Sequence, residues 1–247
     1  MPVRVFRDDR ALATAAAAAA AAVVVDAQKT RGTANVMLAT GNSQIRVLAA
    51  LVTHHEIDWS AVSAFHMDEY VGIGIDHPAS FARYMRDRVV DVVHPGAFHL
   101  LRGDAADPYE EAARYAALLD RFPLDLCMLG IGENGHLAFN DPPVADFDDP
   151  LAVKVVALDE ACKMQQVGEG HFATVDAVPP LAVTATIPTL LGAGAVLAVA
   201  PETRKAGPVR DALEGPLGTV CPASILRTRT NTRLFLDHAS AAALRHS

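Results

Sequence analysis

Cysteine is scarce in this chain of 247 residues: Cys127, Cys162 and Cys221 are the whole complement, each more than 30 residues from the next. No CxxC pair or Cys/His ladder accompanies them, so neither a disulfide framework nor a structural zinc site is signalled. Free thiols fit a reducing compartment. Basic charge is also in deficit, with 21 Lys and Arg against 29 Asp and Glu for a net charge of −8. That balance argues against a broad basic face for nucleic acid or an anionic membrane, and it leaves room for a small cation cluster around one phosphate. There is no internal repeat and no Ser/Gly/Pro-rich linker, so one domain over residues 1–247 is expected. At 51% hydrophobic residues the chain is too apolar to be disordered or collagen-like. Its length buries a core without help from metals or disulfides.

Long hydrophobic runs are missing apart from the Ala-rich residues 11–25. The preceding Arg7-Asp8-Asp9-Arg10 carries two acids, and Asp26 follows without a plausible cleavage site, which argues against a secretory leader. The run is too short, and alanine too weakly apolar, for a membrane-spanning helix. An N-terminal helix of the fold, capped by Asp8 or Asp9, is the expectation, with a cytoplasmic location.

What the chain does have is a series of short apolar runs, each next to a helix-like segment. Strands are expected over residues 34–39, 61–67, 125–130, 195–200 and 232–236, and helices over 43–55, 80–90, 108–121 and 202–213, with a short helix at the C-terminus. Continuous rather than alternating apolar runs suit strands covered on both faces. Interleaved with helices, they predict an α/β, Rossmann-like fold with a mostly parallel sheet and helices on both faces. Ligands bind such sheets beyond the carboxyl ends of the strands, so chemistry is sought in the loops that follow them.

Three of these loops stand out. Thr40, Gly41, Asn42 and Ser43 sit where a helix begins, and free backbone N–H groups there attract an anion such as phosphate; the plainer alternative is a turn capped by Asn42 or Ser43. Asp68 and Glu69 follow a buried strand directly, and two acids there could cap the next helix, bind a metal, or hold a carboxylate against a substrate carbon. Ser80 is the expected cap of the helix after them. The third loop, Gly130-Ile131-Gly132-Glu133-Asn134-Gly135-His136, continues to Asp141 and brings Glu133, His136 and Asp141 together. A histidine flanked by carboxylates can be tuned as an acid/base near neutral pH.

These same residues carry a resemblance. Phe65-His66-Met67-Asp68-Glu69-Tyr70-Val71-Gly72, with His77-Pro78 and Ser80 after it, resembles the signature of glucosamine-6-phosphate deaminases, also called isomerases. So does Gly130-Ile131-Gly132-Glu133-Asn134-Gly135-His136-Leu137-Ala138-Phe139-Asn140. The likeness continues through Ile187-Pro188-Thr189-Leu190-Leu191, Arg204-Lys205-Ala206 and Pro222-Ala223-Ser224-Ile225-Leu226. The related 6-phosphogluconolactonases share the GxGxxGH core but lack the DEYVG block.

The resemblance implies conversion of glucosamine 6-phosphate and water into fructose 6-phosphate and ammonia, with no metal or cofactor. It implies Asp68 as the carboxylate that shuttles a proton between C2 and C1, and His136 as the group that assists ring opening. Asp141 stands where the family often has Glu, placed to orient the imidazole. Asn134 departs from the Asp common there, so negative charge on the His136 relay must come from Glu133 and Asp141, or the imidazole titrates lower. For phosphate, the resemblance points to the Thr40–Ser43 loop, to Lys205, and to a second cation, for which Lys163 is the candidate. Arg204 is expected at the surface or in an oligomer contact. Some family members are hexamers activated by N-acetylglucosamine 6-phosphate; here residues 144–150 are acidic, and no such activation is expected. A homo-oligomer remains compatible with the sequence. The competing readings are a 6-phosphogluconolactonase, an isomerase of another amino-sugar phosphate, and a sugar-phosphate sensor without turnover.

His54-His55 is expected to end a helix, Trp59 and Met67 to pack in the core, and His171 to sit in a lid or on the surface.

Overall fold

Alternate residues of the apolar runs are buried on opposite sides of one sheet. Val36 and Leu38 pack on one side and Met37 and Ala39 on the other; Leu126 and Met128 oppose Cys127 and Leu129, and Leu197 and Val199 oppose Val196, Ala198 and Ala200. A strand with both faces covered has no polar side, which is why these runs are continuous. Each fully buried Val or Leu contributes roughly 1.5–3 kcal/mol.

A computed structural model describes residues 1–245. The elements in chain order are β1 (Val3–Phe6), α1 (Asp9–Arg31), β2 (Ala34–Leu38), α2 (Ile45–Leu51), β3 (Val62–His66), β4 (Asp68–Tyr70) and α3 (Phe81–Met85). Helix α3 runs through a π turn into α4 (Asp91–Val93), followed by β5 (Ala97–His99), α5 (Pro108–Arg121), β6 (Leu126–Leu129), β7 (Val153–Ala157) and α6 (Glu160–Gly168). Then come β8 (Leu181–Ala185), α7 (Ile187–Leu191), β9 (Ala195–Ala200), α8 (Ala206–Glu214), β10 (Thr232–Asp237) and α9 (His238–Ala241).

Seven strands form a parallel sheet in the order β1-β10-β9-β6-β2-β3-β5, with helices on both faces. The chain builds outward from β2 through β3 to β5, then returns to the other side of β2 for β6. The order therefore reverses between β2 and β6, and such a switch point opens a crevice at the strands' carboxyl ends. The Thr40 and Gly130 loops leave the sheet at this crevice. Ala39 N–H donates to Met128 O at 3.0 Å, and the Gln44 amide donates to Val199 O, so the loops after β2, β6 and β9 are held together.

A second sheet, β4-β8-β7, is antiparallel. The sequence pattern does not point to it: residues 68–70 read as loop, and the expected strands include neither β7 nor β8. Strands β1 and β5 are likewise additions. The main sheet is as the pattern predicted.

Helix α1 reaches Arg31 rather than residue 25. At 23 residues, with a mean hydropathy of 1.6 over its most apolar 18 residues, it matches a membrane-crossing helix in length and composition, so shortness is no argument against that role. Its buried stripe supports a core helix: Leu12, Ala13, Ala16, Ala17, Ala20, Ala21, Val24 and Ala27 recur every three or four residues against the sheet and α2. Asp8 caps it by accepting from Ala11 N–H, and Gly32 closes it in the left-handed region. Ser80 caps α3 as expected, accepting from Arg83 N–H. Neither Asn42 nor Ser43 caps the helix after β2; Gly41 stands at that place with φ 94°, and no side chain caps the turn. His54 and His55 lie beyond the end of α2, where His54 Nδ1 is 2.8 Å from a Glu56 carboxylate oxygen. Trp59 and Met67 are buried.

Candidate active site

The loops after β2, β3, β6 and β9 enclose a cavity of about 70 Å³, covered by α6. Thr40, Gly41, Ser43, Asp68, Gly132, His136 and Lys205 line it, together with Gln165, Gln166 and Glu169 from the covering segment. Six of the sequence-derived candidates, Thr40, Gly41, Ser43, Asp68, His136 and Lys205, thus lie around one cavity, although they span residues 40–205.

The two acids after β3 part company. Residues 68–70 form a strand, so successive side chains point to opposite faces. Asp68 faces the cavity. Glu69 turns away and caps α3: its carboxylate accepts from Ser80 Oγ at 2.8 Å, Phe81 N–H at 3.1 Å and Ala82 N–H at 2.8 Å. Of the roles open to the pair, capping thus falls to Glu69. Asp68 is 95% buried, and its Oδ1 has no hydrogen-bond partner. Burial first, then the nearby Glu69 and Asp141 charges, raise its carboxyl well above the usual range.

On the Gly130 loop, His136 Nδ1 lies 2.8 Å from Asp141 Oδ1. Asn134 supports this pair from below: its amide donates to Asp141 Oδ1 at 2.8 Å, and its carbonyl accepts from His136 N–H at 3.0 Å. The amide thus orients the carboxylate and the loop rather than the imidazole ring. Burial pushes the Asp141 carboxyl up, but the His136 contact, Asn134 and the Cys162 thiol outweigh it and leave it below its ordinary value. Glu133 is not part of this group; it faces outward, 3.4 Å from Arg204. Gly132 is required by close approach, since a Cβ there would lie 2.2 Å from His136 Nε2.

On the opposite wall, Tyr84 Oη donates to Gly41 O at 2.9 Å and fixes the Thr40–Ser43 loop. Asn42 points away from the cavity and donates to Glu169 O at 3.2 Å. Lys205 is 98% buried, and no carboxylate among the described residues lies within 4.0 Å of its ammonium. Burial lowers its pKa, and the Glu169 charge partly offsets this. Lys163 does not line the cavity. Its place on α6 is turned away, and the inner face of that helix is Cys162, Gln165 and Gln166. Arg204 is not a plain surface residue; it is clamped by Glu133, Glu169 and Glu202.

Sequence reasoning missed Gln165, Gln166 and Glu169. The signal was present: Cys162, Gln165, Gln166 and Glu169 recur at helical spacing and so share a face. His171 sits beside this segment, 3.4 Å from Glu169 and edge-on to Phe81. His136, Asp141 and Cys162 place three donors within 4.8 Å of one another, a set that could hold a soft cation. Here His136 and Asp141 face each other instead.

Comparison with known proteins decides the family. The sequence pattern of the glucosamine-6-phosphate isomerases/6-phosphogluconolactonase family matches residues 7–235. The chain belongs to this family. A glucosamine-6-phosphate deaminase of Exiguobacterium sibiricum is 37% identical over 207 residues, 84% of this chain and 80% of that protein. A solved monomeric glucosamine-6-phosphate deaminase superposes with a TM-score of 0.90 at 29% identity, covering 98% of this chain and all of the other. A 6-phosphogluconolactonase of Trypanosoma brucei, at 18% identity and a TM-score of 0.80 over 98% of each chain, shares the fold. The family thus joins two chemistries on one scaffold, and a choice between them rests on the pocket's own groups.

Proposed function

We propose that this chain, acting as one domain, converts glucosamine 6-phosphate and water into fructose 6-phosphate and ammonia. The observation that carries the reading is Asp68, a buried carboxylate with a free oxygen, in one pocket with the His136–Asp141 pair and a buried unpaired lysine. Lactone hydrolysis needs no carboxylate to move a carbon-bound proton; an aldose–ketose shift does. The deaminase relatives support the same choice.

In this mechanism Lys205 and the N–H groups of the Thr40–Ser43 loop hold the phosphate. His136, kept in place by Asp141, moves the proton between the ring oxygen and O1 as the sugar opens. Asp68 then takes the proton from C2 while O1 is protonated, giving an enolamine. The same carboxyl returns the proton to C1, leaving an imine at C2. Water adds to that carbon, ammonia departs, and the ketose remains. A poorly hydrated carboxylate is a stronger base than one in water, which suits Asp68 to a weakly acidic C–H. No step calls on a metal or cofactor. The three free cysteines fit a cytoplasmic setting.

The test is release of ammonia and fructose 6-phosphate from glucosamine 6-phosphate, with 6-phosphogluconolactone and the galactosamine epimer run alongside. Both products should appear in equal amounts from the first substrate, and Asp68→Asn should lower kcat by roughly 10³-fold or more. Turnover of the lactone alone, or full activity in Asp68→Asn, would defeat the reading.

A further inference from the structure

The pocket is narrow, and one wall of it has the wrong charge for its ligand. At about 70 Å³ it holds a few water molecules, well short of the roughly 300 Å³ at which ligand pockets begin. What fills the remaining space is the segment after β7. Tyr70 Oη donates to Gln166, Glu133 N–H donates to Gln165 Oε1 at 3.0 Å, and Asn42 donates to Glu169 O, so α6 is fastened down on three sides.

Glu169 is the residue that this segment places in the anion cradle. Its Oε2 lies 3.6 Å from where a Cβ on Gly41 would stand, against the loop whose N–H groups are to take the phosphate. Its carboxylate is met by Arg204 Nη1 at 2.9 Å, Gln165 Nε2 at 3.0 Å and His171 Nε2 at 3.4 Å. A guanidinium, an amide, an imidazole and a glycine loop around one oxyanion are the surroundings a phosphate would choose. A phosphate cannot share them with a carboxylate, because like charges at contact distance repel strongly.

We propose that the Glu169 carboxylate occupies the phosphate subsite of the empty pocket and is expelled by the phosphate of the incoming sugar, so that this side chain sets how tightly the site holds phosphate monoesters. The inference rests on the pocket being a sugar-phosphate site, as argued above. Expulsion of the Glu169 carboxylate frees the Gln165 amide that donates to it and leaves Arg204 with two of its three carboxylates. A sugar without phosphate gains nothing from displacing Glu169.

The experiment is calorimetric titration of the full chain with inorganic phosphate and, separately, with glucosamine, in the wild type, Glu169→Gln and Glu169→Asp. Removal of the charge should tighten phosphate binding roughly tenfold in Glu169→Gln, and glucosamine affinity should stay within about twofold. Glu169→Asp keeps the charge and should keep weak phosphate binding. Unchanged or weaker phosphate binding in Glu169→Gln would overturn the proposal. So would equal tightening for both ligands, which would mark a loosened lid rather than a displaced anion, and so would tightening in Glu169→Asp as large as in Glu169→Gln. None of these readings needs turnover. A protein that binds phosphate as expected yet leaves glucosamine 6-phosphate intact would therefore refute the deamination alone.

Discussion

Gly132→Ala is the sharpest probe of the His136 position. The backbone at Gly132 is outside the left-handed region, so alanine meets no conformational penalty there. It should even restrict the unfolded chain, a gain of about 0.4–1 kcal/mol where the site can accept it. The obstacle is the imidazole: the new methyl would lie 2.2 Å from Nε2 and 2.3 Å from both Cδ2 and Cε1. Ordinary carbon contacts start near 3.5 Å, so the ring must retreat by about 1 Å. Retreat also strains the 2.8 Å approach of Nδ1 to Asp141. A misplacement of about 1 Å in a reacting group typically costs ~100-fold in rate. The expectation is a kcat for ammonia release lowered about 100-fold, a KM for glucosamine 6-phosphate changed far less, and a thermal midpoint within about 4 °C of the parent. Wild-type kcat in a folded Gly132→Ala protein would refute the argument that the imidazole must stand where it does. Loss of fold would refute the claim that the strain stays local.

Two further outcomes follow from particular groups. His66 is fully buried, its Nε2 accepting from Leu101 N–H at 2.9 Å, and burial lowers its pKa from 6.5 to about 4. The unfolded chain therefore binds a proton in a window where the fold refuses it, and stability should fall as pH drops from about 6.5 to 4, by up to roughly 3 kcal/mol from this group. Denaturant titrations of His66→Gln should show a flatter slope in that window, and an unchanged slope would remove His66 as the source. N-acetylglucosamine 6-phosphate should leave substrate affinity unchanged, because residues 144–150 carry Asp146, Asp148 and Asp149; an apparent shift of about tenfold would contradict this.

The main sheet was legible because burial on both faces leaves a mark in each strand by itself: an unbroken apolar run. The antiparallel sheet leaves no such mark. Its β4 opens with two acids, β7 carries Lys154, and the pairing of residues 68–70 with residues 182–184 is a long-range fact that no local pattern encodes. Strand β1 is an exposed edge, and β5 is three residues long. The same gap explains the site. Asp68 and His136, on loops after predicted strands, were found because strand ends direct attention to them, whereas Lys205 came only from the family resemblance. Glu169 lies on a covering segment whose placement depends on β7 and β8, and Lys163 was singled out by charge without the helix phase that turns it away. The Asp68–Glu69 pair was visible as important, but only the strand assignment tells which acid faces the cavity.

That assignment carries a consequence for how the sequence is free to drift. Asp68 and Glu69 are neighbours on a strand of period two, with Tyr70 fixed opposite Ala182. A single-residue insertion or deletion ahead of them would exchange their faces, sending the longer acid into the pocket and the shorter one to a helix cap it cannot reach. Point substitutions around β4 are open to gradual trial, whereas changes of length are not. The spacing between β3 and β4 is therefore expected to tolerate replacement of its residues long before it tolerates a change in their number.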